Sequence, residues 1–176
     1  MNMRINWVIL CGIVLLIIEN SIVPWIVPPQ WSERLLPHLN LIMTLFVAGF
    51  AGRHNAFLFG LGFGLLQDLL SYGYLIGPYG FGMGLIGYMA GLVAERKSFT
   101  LGFFAWVVLI FGIILDSIVY SIYKLFRITN LEYDYILYWQ VAPTVLLQLM
   151  IALLMYVPVR RLLVKPSHSS GEESPE

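Results

Sequence analysis

The chain alternates long apolar runs with short polar or proline-containing breaks, and the lengths of the runs set the first prediction. A hydrocarbon core of about 30 Å is crossed by about 20 helical residues, with about 17–25 tolerated. Six stretches fit, at about 5–23, 35–52, 56–74, 79–94, 99–123 and 135–157. The second is the weakest, because Pro37 leaves a short uninterrupted run that a tilted or re-entrant segment would also explain. The pattern predicts an all-α, polytopic membrane protein: a six-helix transmembrane domain over 1–165 and a disordered tail over 166–176. That tail, Pro-Ser-His-Ser-Ser-Gly-Glu-Glu-Ser-Pro-Glu, has no bulky apolar residue to bury, and His168 within it is expected to be inert.

Composition agrees with lipid as the main solvent. Of the 176 residues 59% are hydrophobic and 11% charged, against about 45–50% and about 25% in soluble domains. A soluble enzyme with a hydrated surface is excluded. So is a nucleic-acid binder, which needs a basic field that a net charge of zero does not supply. A single cysteine, Cys11, excludes a disulfide framework and a cysteine-built zinc site.

The positions of the charges say more than their sum. With the N-terminus inside, Arg4, Arg53, Arg96, Lys97, Arg160, Arg161 and Lys165 fall on the cytoplasmic side, against Arg34, Lys124 and Arg127 outside. Basic residues resist translocation, so both termini are expected in the cytoplasm, the protein being multi-pass in the plasma membrane. Trp25, Trp31, Tyr72, Tyr79, Tyr133, Tyr135, Tyr138 and Trp139 then form an outer aromatic belt. The first helix is read as retained, because Glu19, Asn20, Ser21, Ile22 and Val23 offer no small-x-small cleavage pattern. The outer loop from Pro24 to Pro37, with Pro28 and Pro29 between, is stiff. It is read as an interfacial connector, with docking of an extracytoplasmic partner as the alternative.

Small residues mark the faces where helices meet, since lipid provides no hydrophobic drive for association. Gly60 and Gly64 share one face of the third helix; Gly80, Gly84, Gly87 and Gly91 share one face of the fourth. These are candidate faces for helix packing or for a partner. Asp68 continues the Gly60 and Gly64 face, with Gln67 beside it. A carboxylate at mid-membrane costs roughly 2.5–3.5 kcal/mol on insertion scales, so it should turn toward the bundle interior, water or a partner. Phe63, Gly64, Asp68 and Tyr72 recur at identical spacing as Phe111, Gly112, Asp116 and Tyr120. The first helix carries its own acid, Glu19. Three helical hairpins related as parallel repeats are therefore expected, with Glu19, Asp68, Asp116 and Gln67 forming an intramembrane polar site toward the outer face. Lys124, Arg127 or backbone amides are the candidate partners of these acids, and protonation is a further alternative.

No constellation for catalysis stands out. His38, His54 and His168 form no pair at metal-binding spacing. No Gly-x-Ser-x-Gly or Ser-Lys pair occurs, and the glycines from Gly77 to Gly91 lack the lysine of a phosphate loop. Asp68 and Asp116 leave a two-aspartate centre as a remote alternative. The expectation is a non-enzyme without metal or cofactor.

The stretch Gly62-Phe63-Gly64-Leu65-Leu66-Gln67-Asp68-Leu69-Leu70, followed by Gly77, Gly80 and Gly87-Tyr88-Met89-Ala90-Gly91, resembles the core of the rod shape-determining MreD family. Pro37 before the second helix and Arg53-His54 before the third fit the same family, and the likeness covers about residues 5–163. The resemblance implies a non-enzymatic subunit of the bacterial elongation machinery. Its partners would be the bitopic protein MreC, actin-like MreB filaments, the glycosyltransferase RodA and a class B penicillin-binding protein. By the same resemblance the architecture is similar to the substrate-binding subunits of energy-coupling-factor vitamin transporters. Asp68 and its glycine face would then contact a partner helix or hold the bundle together. For the partner reading, MreC would meet the Gly80 to Gly91 face or the proline-rich outer loop. A small-molecule binding subunit of a transporter is the alternative function.

Overall fold

A computed structural model describes residues 2–22, 25, 37–70, 75–96, 100–129 and 132–163. Most of the proline-rich outer loop, with Trp31 and Arg34, lies outside the described residues, as do Tyr72, Lys97 and the tail at 166–176. The described residues form six helices. Helix α1 runs Asn2–Ile17 and continues as a π-helical turn, Ile18–Ile22. Then come α2 (Leu39–Ala51), α3 (Arg53–Leu70), α4 (Pro78–Arg96) and α5 (Leu101–Leu125). Helix α6 starts at Tyr133–Ile136, passes through a π turn at Leu137–Val141 and continues as Ala142–Leu163.

The weakest stretch of the sequence is the centre of the fold. Every residue of α2 from Leu39 to Ala48 is buried, so the other helices surround it. At 13 residues it is only about 20 Å long, shorter than a bilayer core. Gly52, at φ +87°, joins it to α3 through a single residue. Glycine is the residue that adopts this backbone without strain, which allows so abrupt a reversal. Among the described residues two helices are long and apolar enough to cross a membrane, Leu101–Leu125 and Tyr133–Tyr156; Asn6–Ile22 and Leu39–Ala51 are shorter apolar helices. Helices α3 and α4 dilute their apolar runs with Arg53, His54, Asn55, Gln67, Asp68 and eight glycines.

An aromatic contact ties α2 to the later helices: the Phe46 and Phe104 rings stand 4.3 Å apart, and Tyr156 lies 5.6 Å from Phe104. The closest helix pair is α3 and α4, which run antiparallel in one register. Gly91 lies on the Arg53 backbone, Gly87 on the Ala56 carbonyl, Gly60 on the Met83 carbonyl and Gly64 on Tyr79 and Gly80. Gly80 and Gly84 in turn receive Leu65 and Leu61. A Cβ at Gly60, Gly64, Gly87 or Gly91 would collide with backbone of the facing helix, so these helices meet main chain to main chain. The six glycines singled out in the sequence therefore belong to the contact between α3 and α4, and a partner helix cannot occupy the same surface.

Candidate functional site: a polar joint at the helix starts

The acids of the three helical hairpins gather toward one end of the bundle, Glu19 and Asp68 where α1 and α3 end and α2 and α4 begin, and Asp116 in the second half of α5. Asp68, 2% exposed, lies in the last turn of α3. Its carboxylate accepts the backbone N–H groups of Gly77, Tyr79 and Gly80 at 3.0, 3.2 and 3.0 Å. The first amides of a helix have no intrahelical acceptor, and the helix dipole places partial positive charge there. Asp68 thus finds its counter-charge in the start of α4, and no lysine or arginine is required. Gly77, at φ +125°, bends the chain so that its own N–H can join the set.

Glu19 does for α2 what Asp68 does for α4. It sits in the π turn that ends α1, and such turns re-aim side chains at functional positions. One oxygen accepts the N–H groups of Leu39 and Asn40 at 3.0 and 3.3 Å, and the Asn40 side-chain amide approaches it at 3.5 Å. The other oxygen accepts Nε2 of Gln67 at 2.8 Å. Gln67 in turn accepts from Asn20 at 3.2 Å, which draws α1, α2 and α3 together.

Asp116 departs from this pattern. Gly112, one turn below it on α5, faces Val145 and Gln148 of the following helix, as Gly64 faces the start of α4. The carboxylate of Asp116, however, bonds Nε2 of His38 at 3.1 Å. The neighbouring Ser117 makes the link to the next helix, at 2.8 Å from the Tyr133 hydroxyl. His38 immediately precedes α2, and its Nδ1 lies 3.7 Å from Oε1 of Glu19. Its ring packs 5.2 Å from that of Tyr79, whose own N–H bonds Asp68. One connected arrangement therefore includes Glu19, Gln67, Asp68, His38, Tyr79 and Asp116. Lys124 lies over the Tyr120 ring instead, 5.4 Å from its centroid.

Sequence reasoning singled out the acids and Gln67 but passed over Asn40 and Gln148, and it weighed His38 only as a metal ligand, for which no partner at the right spacing exists. Asn40 and Gln148 were readable as polar residues inside apolar runs, which the membrane disfavours; both are fully buried. Among the described residues, four keep buried polar atoms without a hydrogen-bond partner: His38 at Nδ1, Asn40 at Oδ1, Asp116 at Oδ2, and Gln148 at both amide atoms. Among the described residues no group of three or more histidine, cysteine or acidic side chains is placed to hold a metal ion. At the opposite end Arg53 and Glu95 form a half-exposed ion pair at 3.5 Å.

Comparison with known proteins identifies the lineage. Residues 1–165 match the family model described as rod shape-determining protein MreD. The rod shape-determining protein MreD of Bacillus subtilis (strain 168) is 28% identical over 130 residues, which cover 73% of this chain and 74% of that protein. No solved structure matches the chain. With the family model spanning nearly the whole sequence, the chain belongs to the MreD family of rod shape-determining proteins.

Proposed function

We propose that this protein is a non-enzymatic scaffold of the bacterial cell-elongation complex. In this reading it crosses the cytoplasmic membrane six times with both termini inside, and its architecture is similar to that of energy-coupling-factor substrate-binding subunits. It holds an MreC-like bitopic protein in position beside MreB-like filaments, a RodA-type glycosyltransferase and a class B penicillin-binding protein. Family membership supports the role in rod shape. The observation that carries the scaffold reading is the use made of the buried acids. Both oxygens of Asp68 and both of Glu19 are taken up by helix-start amides and Gln67, an arrangement that stiffens a bundle and leaves neither carboxylate free for substrate.

Partner contact then falls to the surfaces that the α3 and α4 pairing leaves open. Trp106 on α5, 65% exposed, and Leu154 on α6, 75% exposed, stand on such faces. The test is replacement of the resident family member in a rod-shaped bacterium by this chain, with and without Trp106→Ala. Restoration of rods and co-purification of the MreC-like protein are expected for the parent chain. Round cells containing normal amounts of intact protein would refute the proposal.

A further inference from the structure

The geometry around His38 points to a bound proton: we propose that His38 is an imidazolium in the folded protein and fastens α1 and α5 to the start of α2. The argument rests on the two ring nitrogens. Nε2 lies 3.1 Å from Oδ1 of Asp116; with Asp116 ionised its carboxylate only accepts, so this nitrogen carries hydrogen. A neutral imidazole then bears a lone pair at Nδ1. That lone pair would point toward Oε1 of Glu19, 3.7 Å away, in a place where Nδ1 has no other partner. Two electron-rich atoms would face each other in a nearly dry site. A hydrogen on Nδ1 turns this into attraction and places one positive charge between two negative ones.

Among the described residues, the other charged and titratable groups toward this end are Asp68 on α3, Tyr79 on α4, Tyr120, Tyr123, Lys124 and Arg127 at the end of α5, and Glu132, Tyr133, Asp134, Tyr135 and Tyr138 at the start of α6. Asp68 is satisfied by the α4 amides, Tyr79 packs on the His38 ring and Lys124 is held over Tyr120. None of these contacts supplies Asp116 with a cation.

The proton is structurally consequential because α1 buries few side chains: beside its polar end, only Leu16 and the partly buried Val8, Cys11, Leu15 and Ile18 pack against the core. Among the residues of α1 whose side chains are described, the buried positions are Gly12, Leu16 and Glu19, while Trp7, Leu10 and Ile17 are more than half exposed. Lipid accepts those side chains as readily as protein does. The polar end of α1 therefore decides whether it stays docked, and the charge on His38 balances the carboxylate that anchors it.

Nitrogen-15 NMR of the full chain in lipid nanodiscs tests this directly. His54→Gln and His168→Gln leave His38 as the single labelled histidine. Two protonated-type ring nitrogens at neutral pH are expected. In the added Glu19→Gln, Asp116→Asn pair, one nitrogen should lose its hydrogen. A neutral ring in the parent chain at neutral pH overturns the proposal, and so does an imidazolium that persists once both carboxylates are gone. If the double variant does not fold, the parent spectrum decides alone.

Discussion

Asp68→Asn is the substitution that most directly probes how a carboxylate is tolerated in this bundle. The native side chain receives three N–H groups at 3.0–3.2 Å, two on Oδ2 and one on Oδ1. Asparagine keeps a single carbonyl oxygen, so its amide nitrogen must face at least one of the amides that the carboxylate accepted. If the oxygen takes the Oδ2 position, one bond is lost and the Tyr79 amide meets a donor. Hydrogen bonds to a charged group contribute about 1.5–3 kcal/mol each, and the interaction of an anion with a helix start adds about 0.3–1 kcal/mol. The three bonds share one acceptor, so their losses do not add in full, and a destabilisation of about 2–4 kcal/mol is expected. Equilibrium unfolding of the purified protein in mixed micelles measures it. Hydrogen exchange locates it, with faster exchange expected at Gly77, Tyr79 and Gly80. A loss below about 0.5 kcal/mol with unchanged exchange at these amides would refute the capping argument.

Two further predictions follow from packing. Gly60→Leu drives a Cβ into the Met83 carbonyl and should cost about 3 kcal/mol, the upper range for overpacking, while Gly62→Ala, with nothing within 4 Å of the added atom, should be neutral or stabilise by up to about 1 kcal/mol; thermal unfolding of both in one detergent checks the contrast. Gln148→Met removes two buried, unpartnered amide atoms and should leave stability unchanged or higher; a drop of more than about 1 kcal/mol in the same assay would show that the amide is engaged.

The helices and the acids could be read from the sequence because membrane thickness fixes run length and because charge stands out among apolar residues. The layering could not. Leu39 to Ala48 and Leu101 to Tyr120 read as equally apolar, yet one is enclosed by protein and the other presents Trp106 and Ile110 on an exposed face. Hydropathy treats contact with lipid and contact with other helices as the same environment, so the central position of α2 left no trace beyond its shortness and the polar Asn40 and Thr44 inside its run. Glycine spacing identified the faces of α3 and α4 but not that each was the other's partner. That pairing follows from register, which a single-helix pattern does not contain.

The three acids show how one residue pattern acquires different uses. Glu19 and Asp68 each lie at the end of a helix and each bind the first amides of the helix that follows, so these two hairpins share a device: an acid at one helix end stabilises the next helix start. Asp116 has the same local sequence, with Phe111 and Gly112 before it and Tyr120 after it, but α5 continues past it to Leu125, whereas α3 ends at Leu70 just past Asp68, so its hairpin returns only at Tyr133. Ser117 meets that returning helix at the Tyr133 hydroxyl, and the acid is released to reach across to His38 at the start of α2. Asp68 therefore binds its hairpin within itself, Glu19 caps its own hairpin and also reaches Gln67 of the second, and Asp116 joins the last hairpin to the first. That link brings the separate hairpins into one joint centred on α2, so substitutions at His38 should propagate to both α1 and α5, and substitutions at Asp68 should stay within α3 and α4.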